Sequence, residues 1–169
     1  MLQVKFKKLH ADTKLPVKGS LDAACYDVYA TSVNAEYGGR VTYGLGFSTE
    51  IPKGWKAIIV PRSNLTKHNW VMSNSVGIID SDYRGEWMVK LSSIGNVFEP
   101  LPYTLGDRIA QVYFEKVEEI EFVETESLSY TYRAEGGFGS TGVSTFPIEN
   151  TSVTSATPQA ITLTINENL

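Results

Sequence analysis

Apolar residues in this chain recur at every second position in short runs, and that period constrains the fold more than any other feature. Val4 and Phe6 alternate with Lys5 and Lys7; Val41, Tyr43, Leu45 and Phe47 alternate with small or polar residues. Trp87, Val89 and Leu91 repeat the pattern, and Ile120 and Phe122 continue it. A period of two sends alternate side chains to opposite faces of a strand, one dry and one wet. Turn-forming residues separate the runs: Gly38-Gly39, Pro52-Lys53-Gly54, Tyr83-Arg84-Gly85, Gly95-Asn96 and Leu105-Gly106-Asp107. No stretch of about 10 to 12 residues carries a capped amphipathic helix pattern. Short strands with turns between them predict an all-β barrel or sandwich, and 169 residues suffice for one domain with a sizeable core.

Composition narrows the function classes. The 15 Lys and Arg against 19 Asp and Glu leave a formal charge of −4, which argues against a broad basic surface for nucleic acid. Hydrophobic residues at 42% and charged residues at 20% are globular proportions. Cys25 is the only cysteine, so no intrachain disulfide framework exists, and His10 and His68 alone do not supply the usual ligands of a zinc site. No apolar run approaches the roughly 18 to 20 residues of a membrane span. Residues 1–8 carry charge with no apolar stretch behind them, so a signal peptide is not expected. The expectation is a soluble cytoplasmic domain (host cytoplasm, for a virally encoded chain) that engages neither nucleic acid nor membrane.

Chemistry-bearing residues concentrate in residues 74–86, NSVGIIDSDYRGE. The apolar run reads as a strand and Tyr-Arg-Gly as a turn, giving a β-hairpin with acids near its tip. Asp80 and Asp82, two apart, fall on one face of a strand. Alone, an Asp-x-Asp reads as a solvated turn; the sharper reading is a carboxylate held as general base or metal ligand. Arg62, Ser63 and Asn64 follow the apolar run at 57–60, where a guanidinium fork, a hydroxyl and exposed N–H groups suit phosphate. Residues 106–111, GDRIAQ, read alone as a turn entering a strand. Residues 133–142, RAEGGFGSTG, hold four glycines around Phe138. They lack the Gly-Lys-Ser/Thr of a P-loop but suit a flap over phosphates with an aromatic stacking face. Beyond them, 143–169 is rich in Ser, Thr and Asn, and residues 161–165 alternate as a final strand.

Taken in order, five segments resemble the five motifs of the trimeric dUTPase family: 23–27 (AACYD), 61–65 (PRSNL), 77–86, 106–111 and 133–142. The resemblance implies an all-β, jelly-roll-like subunit in a homotrimer, with active sites shared between subunits and a C-terminal Gly-rich arm closing over a neighbour. Its division of the chain is a barrel core over 1–132, an arm over 133–142 and an extension over 143–169. The implied reaction is hydrolysis of dUTP to dUMP and pyrophosphate with Mg²⁺ on the triphosphate, which limits uracil in DNA and supplies dUMP for dTMP synthesis. By position, Asp80 matches the catalytic carboxylate that activates water. Tyr83 packs on the deoxyribose; Asn74, Gly77 and Ile79 line the uracil pocket. Arg62, Ser63 and Asn64 match the phosphate loop, Gln111 lies near the α-phosphate, and Asp27 acts indirectly in the metal region. In the arm, Arg133 and the Ser140-Thr141 pair match γ-phosphate contacts, Phe138 stacks over uracil, and Gly139 belongs to the same substrate-binding segment.

Three positions depart from the family pattern. Cys25 and Ala134 stand where glycine is usual, and Asn64 where serine or glycine is. The family usually ends just after the arm, so 143–169 is additional and offers a docking element for a protein partner. Two alternatives accompany the leading reading: a dCTP deaminase of the same fold, and a dUTPase-like trimer acting mainly as a nucleotide-switched protein-binding regulator.

Overall fold

The computed structural model describes residues 1–139. Met1–Glu121 forms one compact unit, and the chain from Phe122 onward belongs to a second. The first unit is built of strands β1 (Lys5–Lys8), β2 (Val17–Lys18), β3 (Tyr26–Tyr29), β4 (Ser32–Glu36), β5 (Arg40–Gly44), β6 (Phe47–Glu50) and β7 (Trp55–Pro61). A short 3-10 helix (Ser63–Lys67) follows, then β8 (Trp70–Met72), β9 (Gly77–Ile79), β10 (Met88–Ser93) and β11 (Arg108–Lys116). The strands pair antiparallel in three sheets, ordered β1-β6, β4-β5-β10-β8 and β2-β3-β11-β7-β9.

The period of two fills the core as expected. Val41, Tyr43, Leu45 and Phe47 are buried together with Trp87, Val89 and Leu91, and side chains from all three sheets share one cluster. Phe47 links Phe6 of β1, at 4.7 Å between ring centroids, to Trp87 at 5.1 Å. Offset aromatic contacts of this kind add to the effect of apolar burial. The connection from β4 to β5 needs its glycines: Gly38 and Gly39 sit at φ 78° and 70°, where a Cβ costs about 1–2 kcal/mol per residue. Among the described residues no helix is long and apolar enough to cross a membrane.

Two expectations fail. Residues 74–86 do not form a hairpin: β9 pairs with β7, whereas β10 pairs with β5 and β8, so the segment crosses from one sheet to another. Asp80 is the first residue beyond β9, in a turn where the Tyr83 N–H donates to the Asp80 carbonyl at 3.2 Å. Asp80 and Asp82 therefore do not share a strand face. Ile120 and Phe122 lie outside any strand and are 73% and 94% exposed. Alternation marks a dry face and a wet face but does not say that this chain's own core supplies the cover. The strand expected at 161–165, and all of 143–169, lie outside the described residues.

Candidate active site

Sheet order explains why three of the five segments meet. β3, β11 and β7 are neighbours, with Gln111 opposite Asp27 on one side and Val60 on the other. Asp27, only 8% exposed, receives Arg62 Nε on one carboxylate oxygen at 2.8 Å and a terminal nitrogen of Arg108 on the other at 3.0 Å. Arg62 also donates to the Arg108 carbonyl at 3.0 Å. Gln111 Nε2 donates to the Pro61 carbonyl at 3.1 Å, which fixes the amide and leaves its Oε1 as an acceptor. A register shift between Arg108 and Ala110 interrupts the pairing of β11 with β3, and such bulges re-aim side chains at strand ends.

The turn after β7 presents Arg62 and exposed Ser63 at the start of the 3-10 helix, whose Leu65 is buried as an anchor. Asn64 is half-buried within it. Neither Asn64 nor Cys25 adopts a left-handed backbone, so both replacements of glycine are conformationally ordinary. Ala134 is different: it sits at φ 43° in the second unit, where the family's usual glycine would be relaxed.

The third segment is placed elsewhere. Between β8 and β9 the Val76 N–H donates to the Asn74 carbonyl at 2.5 Å across Ser75, a tight γ-turn with Ser75 at φ 58°. Asn74 is exposed, and a Cβ on buried Gly77 would lie 3.4 Å from both Ile59 and Met72 and 3.7 Å from Asn74 Nδ2. β9 is the edge strand of its sheet, so one row of its backbone N–H and C=O groups is unpaired within the sheet. Ile79 closes the strand opposite Ala57, which sets Asp80 level with Lys56. Asp80 is exposed and, among the described residues, its carboxylate makes no hydrogen bond or ion pair.

Within one chain the structure thus gathers Asp27, Arg62, Ser63, Asn64 and Gln111 but not Asp80. Arg62 lies six positions beyond Lys56, about 20 Å along an extended strand at roughly 3.3 Å per residue. In the second unit, Arg133 Nε donates to the Gly136 carbonyl at 2.8 Å, and Phe138 is fully exposed at φ 48° beside Gly139 at φ 88°. Ser140 and Thr141 lie outside the described residues. Sequence reasoning passes over Arg108; its one signal is an arginine directly after the Gly-Asp turn and at the head of an apolar strand.

Comparisons with known proteins identify the family. A family model described as dUTPase matches residues 11–142. A deoxyuridine 5′-triphosphate nucleotidohydrolase of Yarrowia lipolytica is 39% identical over 145 residues, covering 84% of this chain and 90% of its own. The protein of the same name from Beijerinckia indica is 44% identical over 123 residues, covering 72% and 76%. In fold, the chain is similar to a Staphylococcus bacteriophage 80alpha dUTPase variant solved with dUpNHpp, with a TM-score of 0.71 at 21% identity over 83% of this chain and 99% of that one. With the family model spanning most of its length and relatives aligned over most of theirs, the chain belongs to the dUTPase family.

Proposed function

We propose that the protein is a dUTP diphosphatase, hydrolysing dUTP to dUMP and pyrophosphate at sites shared between the subunits of a homotrimer. The observation that carries this reading is the separation along β7. The cationic cluster and the lone carboxylate each have half of what water attack on the α-phosphorus of a phosphoanhydride requires, and one chain holds them about 20 Å apart. A second copy supplies the missing half. Exposed Phe122, Val123, Leu128, Tyr130 and Tyr132 support assembly, because large apolar side chains gathered in one short segment offer contact surface to a partner. The first unit offers an apolar groove lined by Val4, Phe6, Trp55, Trp87, Val112 and Phe114.

In this reading Arg62 and Ser63 receive phosphate oxygens, and Asp27 holds the guanidinium in a fixed direction, so little ordering remains at binding. The free edge of β9 at Gly77 and Ile79, with Asn74, reads the donor and acceptor edge of uracil. A pocket shaped on this edge would reject thymine by leaving no room for its methyl group, a steric form of discrimination. Tyr83 covers the deoxyribose face. Asp80 accepts the proton of the attacking water, and its unpartnered oxygens leave it available for that task. Arg62 and the arm's Arg133, Ser140 and Thr141 take up charge that develops on the phosphates, while Phe138 stacks on the base and Gly139 permits the turn beside it.

The residues present fit Mg²⁺ carried by the substrate. Both oxygens of Asp27 already accept from guanidinium groups, and among the described residues no three His, Cys, Asp or Glu side chains converge. Asp27 and the Oε1 of Gln111 would thus hold the ion through water, as suits a cation that dehydrates reluctantly. When bound, Mg²⁺ offsets triphosphate charge and polarises the phosphorus under attack.

The test is pyrophosphate release from dUTP, dCTP, dTTP and UTP in the presence of Mg²⁺, with an Asp80→Asn variant in parallel. Release from dUTP alone, abolished in the variant, is the expected result. Ammonia from dCTP would establish the deaminase instead. No turnover by a folded oligomer would leave the regulator, with 143–169 as its docking element.

A further inference from the structure

Among the described glycines, Gly85 stands apart from those that only shape turns. Gly54, Gly95 and Gly106 lie at φ 80°, 76° and 88° with open space where a Cβ would point, so backbone conformation is what selects them. Gly85 is the reverse. Its φ lies outside the left-handed region, so an L-residue fits its backbone, yet a Cβ there would come within 2.5 Å of Tyr83 Cζ and 2.9 Å of Cε2, and closer still to the hydroxyl. The Tyr83 ring therefore lies directly on Gly85. Its hydroxyl donates to the Glu86 carbonyl at 3.1 Å, and the Glu86 carboxylate accepts from the Gly46 N–H at 2.8 Å, tying this patch to the turn between β5 and β6. Trp87 continues the attachment, exchanging backbone hydrogen bonds with Leu45 and Phe47 at 2.9 and 3.0 Å.

We infer that Gly85 is a positioning residue for sugar specificity: the absence of a side chain there sets the plane of Tyr83, and the Glu86 carbonyl locks it. The inference rests on the dUTPase reading, in which Tyr83 meets the deoxyribose face and leaves no room for a 2′-hydroxyl. A methyl group at position 85 displaces the hydroxyl end of the ring, because the neighbouring Glu86 and Trp87 are fastened to the β5–β6 turn while the Tyr83 side chain, 39% exposed, is free to swing outward. That displacement opens or misplaces the surface that separates deoxyribose from ribose. Gly85 itself touches no substrate; it acts through Tyr83.

The experiment is a double-mutant cycle with the full chain, reading the ratio of kcat/KM for dUTP to that for UTP. Gly85→Ala is expected to lower the ratio tenfold or more, and Tyr83→Ala at least as far. Adding Gly85→Ala to Tyr83→Ala is expected to change the ratio by less than twofold, which loss of packing alone would not produce. A ratio within twofold of the starting protein in Gly85→Ala, or the same loss in both backgrounds, overturns the inference. Should Gly85→Ala fail to assemble, Tyr83→Phe decides, since it releases the ring from the Glu86 carbonyl without adding volume. A threefold or larger fall supports the lock, and a smaller change overturns it. An unsubstituted protein inert toward dUTP refutes the functional reading; an active protein whose Gly85→Ala variant discriminates as well refutes only this inference.

Discussion

At the Pro61 end of β7, Asp27 ties two arginines together and Gln111 is fastened to a backbone carbonyl, so the charged groups there answer one another. At the Lys56 end, Asp80 stands exposed with no side-chain partner among the described residues. The first arrangement suits a receptor for anions, whose charges must be aimed before the ligand arrives. The second suits a base, whose lone pairs must stay free until water does. The two lie at opposite ends of β7, Asp80 on the turn that follows the neighbouring strand β9, and that distance keeps the carboxylate from pairing with Arg62 and Arg108.

The largest effect that sharpens this contrast is at Asp80. Asp80→Asn is expected to lower kcat by about 10²–10⁴ while leaving the melting temperature and oligomeric state unchanged, as thermal scans and sedimentation would show. Asp27→Ala should behave in the opposite way. It strands two cations, costing about 2 kcal/mol, less than for a fully buried pair because the Arg108 side chain is 46% exposed. The melting temperature falls, and KM for dUTP rises with Arg62 no longer aimed. Equal thermal losses in the two variants would break the comparison.

A smaller effect is expected at Ser75, whose φ of 58° shapes the turn before β9. Ser75→Val places a β-branched residue in a conformation it resists, at a cost of about 1 kcal/mol, and raises KM for dUTP without altering the pH profile of kcat. The smallest effect is at Asp107, whose carboxyl is held below the ordinary value of 3.8 by hydrogen bonds from the Thr104 N–H and hydroxyl. A depressed carboxyl stabilises the fold above its unfolded value, and the contribution disappears as pH falls through the folded value. Asp107→Ala should thus cost under about 1 kcal/mol at pH 7 and progressively less as the medium is acidified below the ordinary carboxylate range, measured as the difference in melting temperature at each pH.

Alternation at Val41 through Phe47 and at Trp87 through Leu91 is enough to identify the core, because in those runs the dry face is dry within one chain. At Ile120 and Phe122 the same signal misleads, since periodicity does not say whose surface covers the apolar face. The crossing of 74–86 between sheets is illegible for a related reason: turn residues announce a reversal, while the partner of each strand is decided by distant segments. The motif order nominates the site residues, but not the distance of Asp80 from Arg62, which depends on the register of Ile79 against Ala57. Arg108 escapes notice because an arginine in a turn is usually solvated; only Asp27, 81 positions away, gives it a role.

The spacing along β7 also has a genetic consequence. If each centre draws its base from one copy and its cations from another, an Asp80→Asn chain and an Arg62→Ala chain are each inactive alone. Mixed trimers of the two, however, contain some interfaces that pair an intact Asp80 with an intact Arg62. Two null alleles expressed together would complement each other, and a single defective allele would spread its damage through every mixed oligomer it joined.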